Sequence, residues 1–356
     1  MTTAAPPRTQ QLSEGELGVA LLHIERGDTD AAHTCLVQAV AGGVSTGANA
    51  SLFHGAPALE FVLSRAGHTC PDVRKAVDRV VAARLVDAHR RQESGTLPHL
   101  VEFDLIRGLA GLGALLLARD DASPLLEEVL AYLVSLAQPV HIDGRDLPGW
   151  WSAFGPHGEQ MDGGHGNNGV AHGIAGPLAL LSLAARHGVR VPGHQEAIEV
   201  FSRWLDTHAC GYWTTHDQLD APQPPDPAPT RPSWCYGRPG IARVHHLAGL
   251  ALGDQARRLA AEDTLVRTLT DPICLGRITD ASLCHGWAGL VAITRAVAAD
   301  SPTPQRFTPL IDDLTARLAA TVDHLPKPGF MEGRAGAHLA LEGTDATGWT
   351  RALLIT

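Results

Sequence analysis

Two kinds of helical pattern alternate along the chain. In the first, nearly every position is apolar, as in VALLHIE after Gly18, LGALLLA after Gly111, PLALLSLAA after Gly176 and LVAITRAVA after Gly289. In the second, apolar residues recur at helical spacing on one face, as in PDVRKAVDRVVAARLVDAHR, PLLEEVLAYLVSLA, GHQEAIEVFSRWLDTH and PLIDDLTARLAATVDHL. A helix that is apolar all round belongs in an interior, and an amphipathic one covers it with its polar face to water. Period-two alternation is nearly absent, which points to an all-α chain.

The apolar stretches open on one signal. Gly-x-x-Gly begins at Gly15, Gly108, Gly173, Gly237, Gly286 and Gly333, and a copy at Gly55 has Ala58 in place of its second glycine. Successive copies lie 40 to 65 residues apart, room for two helices and their connections. The expectation is one α/α toroid over residues 1–356, made of seven helix-hairpin repeats with an apolar inner layer and an amphipathic outer layer. Glycines let neighbouring inner backbones approach one another. Two stretches break the pattern. Residues 219–232, LDAPQPPDPAPTRP, are too Pro-rich for helix and read as a surface loop between repeats. The stretch from His141 to Gly169 reads as a second long loop.

In a ring of like repeats, like positions gather around the axis. The residue before each first glycine is Glu14, His54, Arg107, His172, Tyr236, His285 or Glu332, all polar or ionisable. They read as the lining of a central cavity, where a site is expected. One position earlier, Cys235 and Cys284 share the same phase in adjacent repeats, and His285 follows Cys284. Two thiols and an imidazole make a three-ligand zinc site with a fourth position open, and sulfur ligands disfavour magnesium or calcium.

Composition narrows the context. The chain has 356 residues, 44% of them hydrophobic, enough for a large core. Its net charge of -10 argues against a nucleic-acid partner. There is no apolar run of membrane-spanning length and no apolar secretory core near the N-terminus, so a cytoplasmic setting is expected, with at most peripheral association with a membrane-bound complex. There the six cysteines are free thiols or metal ligands. Cys35, Cys70 and Cys274 read as small buried hydrophobes, and Cys210 is left open.

The segments Trp234-Cys235-Tyr236-Gly237-Arg238-Pro239-Gly240 and Cys284-His285-Gly286-Trp287-Ala288-Gly289 resemble the two zinc-binding signatures of the lanthionine synthetase C-like cyclases. Asn168-Gly169-Val170-Ala171-His172-Gly173 resembles that family's third signature, which carries a catalytic histidine. The resemblance spans essentially the whole chain. It implies a seven-repeat toroid, Zn2+ held by Cys235, Cys284 and His285, and His172 as general acid or base. Asp104, four residues before its repeat's glycine, matches an active-site aspartate, Arg231 an active-site arginine and Tyr236 an active-site tyrosine. Ala58 departs from the repeat but touches no ligand. The chain also lacks the long insertion between the second and third repeats found in some members, which bears on how a leader peptide is held.

The implied activity is that of a stand-alone cyclase. A cysteine thiolate of a dehydrated precursor peptide adds to dehydroalanine or dehydrobutyrine, after a separate dehydratase has acted; the chain carries no kinase-like or lyase-like segment. Eukaryotic relatives that add glutathione to dehydrated residues form one alternative, and a non-catalytic peptide-binding scaffold another. Toroidal glycosidases need two carboxylates across a cleft, and here only Glu14 and Glu332 line the expected cavity.

Overall fold

The structure is a computed structural model that describes residues 8–119, 121, 123–209, 211–219 and 230–356. Cys210 and most of the Pro-rich segment, 220–229, lie outside the described residues. The chain opens with α1 (Glu16–Glu25) and α2 (Thr29–Val40), then α3 (Ala56–Arg65) and α4 (Pro71–Glu93). A short α5 (Leu100–Phe103) leads into α6 (Leu109–Leu117) and α7 (Pro124–Ser135). After an irregular stretch come α8 (Ala175–Arg186), α9 (His194–His208) and the short α10 (His216–Leu219). The rest comprises α11 (Arg238–Leu252), α12 (Gln255–Thr270), the short α13 (Pro272–Leu275), α14 (Trp287–Asp300), α15 (Thr308–Thr321) and α16 (Arg334–Glu342).

The two sequence patterns become two packing environments. Every residue of α8 from Ala175 to Ala185 is buried, whereas α15 buries only Leu314 and Leu318. The long α4 buries Ala76, Val77, Val80, Val81, Leu85 and Ala88, a single stripe at helical spacing. Each apolar helix packs on the amphipathic helix that follows it: α1 on α2, α3 on α4, α6 on α7, α8 on α9, α11 on α12 and α14 on α15. The apolar helices also touch each other in chain order, α1 to α3, α6, α8, α11, α14 and α16, and α16 returns to α1.

A ladder of backbone hydrogen bonds ties the segments just before these helices. Leu12 N–H donates to Phe53 O at 3.0 Å, Leu105 to Ala171 at 3.1 Å and Val170 to Cys235 at 2.8 Å. Cys235 donates to Cys284 at 3.2 Å, Cys284 to Met331 at 3.0 Å, and Met331 to Ser13 at 2.9 Å, back in the first repeat. Among the described residues, only the junction of the second and third repeats has no such bond. There the loop bonds to itself, Ser51 to His54 in both directions.

The glycines of the repeat follow from this ladder. A Cβ on the second glycine would meet the carbonyl oxygen six residues back: Leu105 for Gly111, Trp234 for Gly240, Leu283 for Gly289 and Phe330 for Gly336, each well inside 3.0 Å. A Cβ on the first would meet a backbone nitrogen four residues back, Asp104 for Gly108, Ser233 for Gly237 and Ser282 for Gly286. The hairpin loop therefore folds flat onto its own helix only where no side chain intervenes. The repeat that carries Ala58 is also the one whose loop does not bond to the next.

Three expectations need correction. The chain is mostly helical but not all-α, because the stretch read as a loop from His141 onward carries strands. β1 (Val140–Ile142) and β2 (Arg145–Leu147) form a hairpin, and β3 (Ser152–Phe154), β4 (Gln160–Asn167) and β5 (Trp213–Thr215) form an antiparallel sheet in the order β3-β4-β5. β4 reads QMDGGHGN, without alternating apolar residues, so its extended form comes from pairing rather than from pattern. The seventh apolar helix is not followed by an amphipathic α-helix among the described residues. The chain after α16 runs instead into a buried 3₁₀ helix (Trp349–Leu353), and Leu353 O and Ile355 O accept from Trp234 Nε1 at 3.0 Å and Arg243 Nε at 2.8 Å. Cys35 and Cys274 are buried as expected, but Cys70 is exposed at the start of α4, where Pro71 opens the helix. No described helix is long and apolar enough to cross a membrane.

The close contact at the second glycine predicts a stability cost. Gly240→Ala should lower stability by about 1–3 kcal/mol, as overpacking does, read as a lower urea midpoint. Gly42→Ala, with nothing within 4 Å of the added carbon, should shift it by at most about 0.5 kcal/mol.

Candidate metal centre and its neighbours

The ladder sets the geometry of the cysteines. Because Cys235 N–H bonds to Cys284 O, the two thiols hang from adjacent rungs, just ahead of α11 and α14. One ligand atom from each of Cys235, Cys284 and His285 lies within 4.8 Å of the others, among the described residues the one such trio that could hold a metal ion. The donors are two sulfurs and an imidazole nitrogen, the set that suits zinc. The helix N-termini beside them favour negative charge on the sulfurs.

The thiols interact with each other and with the histidine. Hydrogen bonding with Cys284, and then with His285 and Ser233, outweighs burial and holds the Cys235 thiol below its ordinary pKa. The same pairing with Cys235, together with burial, pushes the Cys284 thiol up. Asp280, and then Cys235, raise His285 to about 9. His285 Nε2 lies 3.1 Å from Asp280 Oδ2.

A second cluster stands beside the first. His172 Nδ1 is 2.7 Å from Asp104 Oδ2, and Asp104 is fully buried. The Asp104 position is shared with Ser233 and Ser282, each four residues before its repeat's glycine. In those two repeats the serine Oγ accepts the N–H three residues on, of Tyr236 and His285, at 3.3 Å. Asp104 Oδ1 makes the same cap, accepting from Arg107 N at 2.6 Å and Gly108 N at 2.8 Å. A serine has one oxygen, which at Ser233 serves both the cap and the Cys235 thiol, 3.7 Å away. The carboxylate has two, and the second reaches across to the next repeat's histidine.

Tyr236 links the clusters. Its ring centroid lies 6.5 Å from that of His172 and 5.1 Å from that of Tyr212. Burial raises its phenol pKa well above the usual value, so the hydroxyl stays protonated at neutral pH, and Asn167 Nδ2 donates to it at 3.2 Å. The Arg231 guanidinium acts electrostatically on both Cys284 and His285. The other expected lining residues find local partners. His54 Nε2 is 3.0 Å from Asn49 Nδ2, Arg107 bonds to Pro156 O, and Lys327 Nζ bridges Glu14, at 2.7 Å, and Glu332.

The seven expected site residues therefore fall into two neighbouring clusters. The sequence reading missed Asp280, Asn167, Ser233 and Ser282. The two serines carried a signal, since they share the repeat phase of Asp104. Asp280 and Asn167 sit six residues before a first glycine, a position that looks unremarkable until the loops are folded.

The fold and the trio of ligands define a family. The sequence family described as lanthionine synthetase C-like protein matches residues 6–354, and the chain belongs to it. One relative, the nisin biosynthesis protein NisC of Lactococcus lactis subsp. lactis, is 25% identical over 275 residues, which is 71% of this chain and 64% of that protein, so the match spans just under two thirds of the relative's length. The solved structure of a nisin cyclase has the same fold, with a TM-score of 0.80 at 20% identity, covering 98% of this chain and 92% of that one.

The ligand geometry predicts a spectroscopic result. Titration with Co2+ should produce a sulfur-to-cobalt charge-transfer band that saturates at one metal per chain. Cys284→Ala should abolish the band while far-ultraviolet circular dichroism stays helical.

Proposed function

We propose that this protein is a zinc-dependent lanthipeptide cyclase. It closes thioether rings by adding a cysteine thiolate of a dehydrated precursor peptide to dehydroalanine or dehydrobutyrine. The observation that carries this reading is the meeting of Cys235, Cys284 and His285, with the Asp104–His172 pair and Tyr236 alongside. The closed order of inner-helix contacts supports reading residues 1–356 as one α/α toroid, with the site at the end where the backbone ladder runs.

Cys235, Cys284 and His285 would hold the ion. When bound, zinc supplies a deprotonated, nucleophilic form of the incoming cysteine, whose free thiol is otherwise mostly protonated at neutral pH. In the addition, the sulfur–carbon bond forms at the β-carbon of the dehydrated residue, and the alkene electrons move to give an enolate. Charge on that oxygen must be stabilised and the α-carbon must receive a proton. Arg231, whose charge acts on Cys284 and His285, supplies the positive charge. His172 supplies the proton. Its Nδ1 is held by Asp104, so Nε2 is the nitrogen left to deliver it. Asp104 also keeps the imidazole in one orientation, and the buried, protonated Tyr236 hydroxyl offers a further hydrogen bond to the substrate. The substrate must arrive already dehydrated.

Three results test the reading. Mixing the zinc-loaded protein with a dehydrated precursor should consume free thiols at constant peptide mass; unchanged thiol content would refute cyclase activity, and consumption only when glutathione is added, with a matching mass gain, would favour a glutathione-adding enzyme. His172→Ala should keep its metal and lower cyclisation by about 10²- to 10⁴-fold, the range for loss of a general acid or base. Asp104→Ser should preserve the loop cap, as serine does in the fifth and sixth repeats, yet lose activity because the imidazole is no longer held.

A further inference from the structure

The residue six positions before each first glycine is Thr9, Asn49, Glu102, Asn167, Arg231, Asp280 or Lys327. Several of these share one behaviour. Asn49 holds His54, Asn167 holds Tyr236, Asp280 holds His285, and Lys327 holds Glu332 and Glu14. In every case the residue held is one position before a first glycine. Arg231, at the same phase, acts on His285 through its charge. Glu102 departs from the set, because Arg91 and Tyr132 draw its carboxylate away at 2.7 Å and 2.6 Å. The repeat therefore builds two sets: an inner set, one position before the first glycines, and an outer set, six positions before, that orients it.

Asn167 and Asp280 do this with the same geometry. Each uses Oδ1 to accept the backbone N–H two residues on, Gly169 at 3.0 Å and Ser282 at 2.7 Å. Each then points its other terminal atom at a ring of the inner set, Tyr236 at 3.2 Å and His285 at 3.1 Å. The turn fixes the side chain, and the side chain fixes the ring.

We infer that Asp280 is the positioning residue of the metal centre: it takes the Nε2–H of His285 and thereby commits Nδ1 to the metal. The inference rests on the metal reading above. A histidine ligand whose second nitrogen donates to a carboxylate is locked in one tautomer and becomes a stronger donor. The carboxylate adds negative charge beside a ligand set already rich in electrons, which favours keeping an incoming sulfur anionic. Asp280 Oδ2 lies 3.1 Å from Nε2 of His285. The companion thiols have no carboxylate of this kind: Cys235 pairs with Cys284 and His285 within the trio and with the Ser233 hydroxyl, at 3.7 Å. Orientation of the centre therefore depends on the imidazole and on Asp280.

The test uses metal binding, so it does not require turnover. In wild-type protein labelled with 15N-histidine and loaded with 113Cd2+, one histidine should show cadmium coupling at Nδ1 and a protonated Nε2. Coupling at Nε2 would overturn the inference, whether or not any variant folds. Asp280→Asn keeps an oxygen for the turn but cannot both cap Ser282 and accept from His285. It should weaken Zn2+ binding by about 10- to 100-fold in chelator competition, the usual effect of removing such a partner, with circular dichroism unchanged. Wild-type affinity in a folded Asp280→Asn protein would sink the inference and leave the cyclase reading intact. A wild-type protein that binds no metal would sink both.

Discussion

The N–H of Cys235 bonds to the carbonyl of Cys284, and that rung belongs to a ladder that runs from repeat to repeat. Everything at the site depends on it. Sulfurs on two separate hairpins, 49 positions apart in the chain, can share an ion only if their loops lie side by side in fixed phase. The backbone bonds provide that phase without using any side chain. They leave the residues one and two positions before each glycine free to vary, and chemistry occupies those positions. The cost falls on the glycines, which must stay small so that each loop can lie against its own helix.

This division lets one scaffold carry unlike functions at equivalent places. Four residues before the glycine, serine caps the loop in the fifth and sixth repeats. Aspartate does the same in the third and has an oxygen to spare for His172. Six residues before, asparagine, aspartate and lysine each hold a different inner residue. A single change of side chain at a fixed place thus turns a loop cap into one that also holds the imidazole of His172. Electrostatics follow the same plan, since the inner helices present their N-terminal ends to the ladder and favour anionic sulfur and oxygen there.

The departures are informative in the same terms. Ala58 adds one carbon where its counterparts have none, and its loop is the one that bonds to itself instead of to the next repeat. No member of the Cys235–Cys284–His285 trio or of the His172 cluster sits on that loop. After the seventh inner helix, the C-terminal segment replaces an outer helix and is anchored through Trp234, the residue before Cys235. Support for the ligand loop therefore comes both from its neighbours in the ring and from the end of the chain.

Much of this was legible in the order of residues. Apolar and amphipathic stretches marked two layers because burial on all sides and burial on one side leave different periodicities. The repeated glycines gave the phase, and the phase placed Cys235 level with Cys284 and named the residues of the inner set. The strands from Val140 to Asn167 were not legible, because glycine-rich β4 takes its form from the partners it pairs with. The return of α16 to α1 also belongs to tertiary structure alone, as does the seating of the last residues against Arg243. So do the roles of Asp280 and Asn167, which are ordinary polar loop residues until two hydrogen bonds, one to their own turn and one to a ring, give each a direction. A hydrogen bond acts over about 3 Å, and only the folded chain determines which atoms come that close.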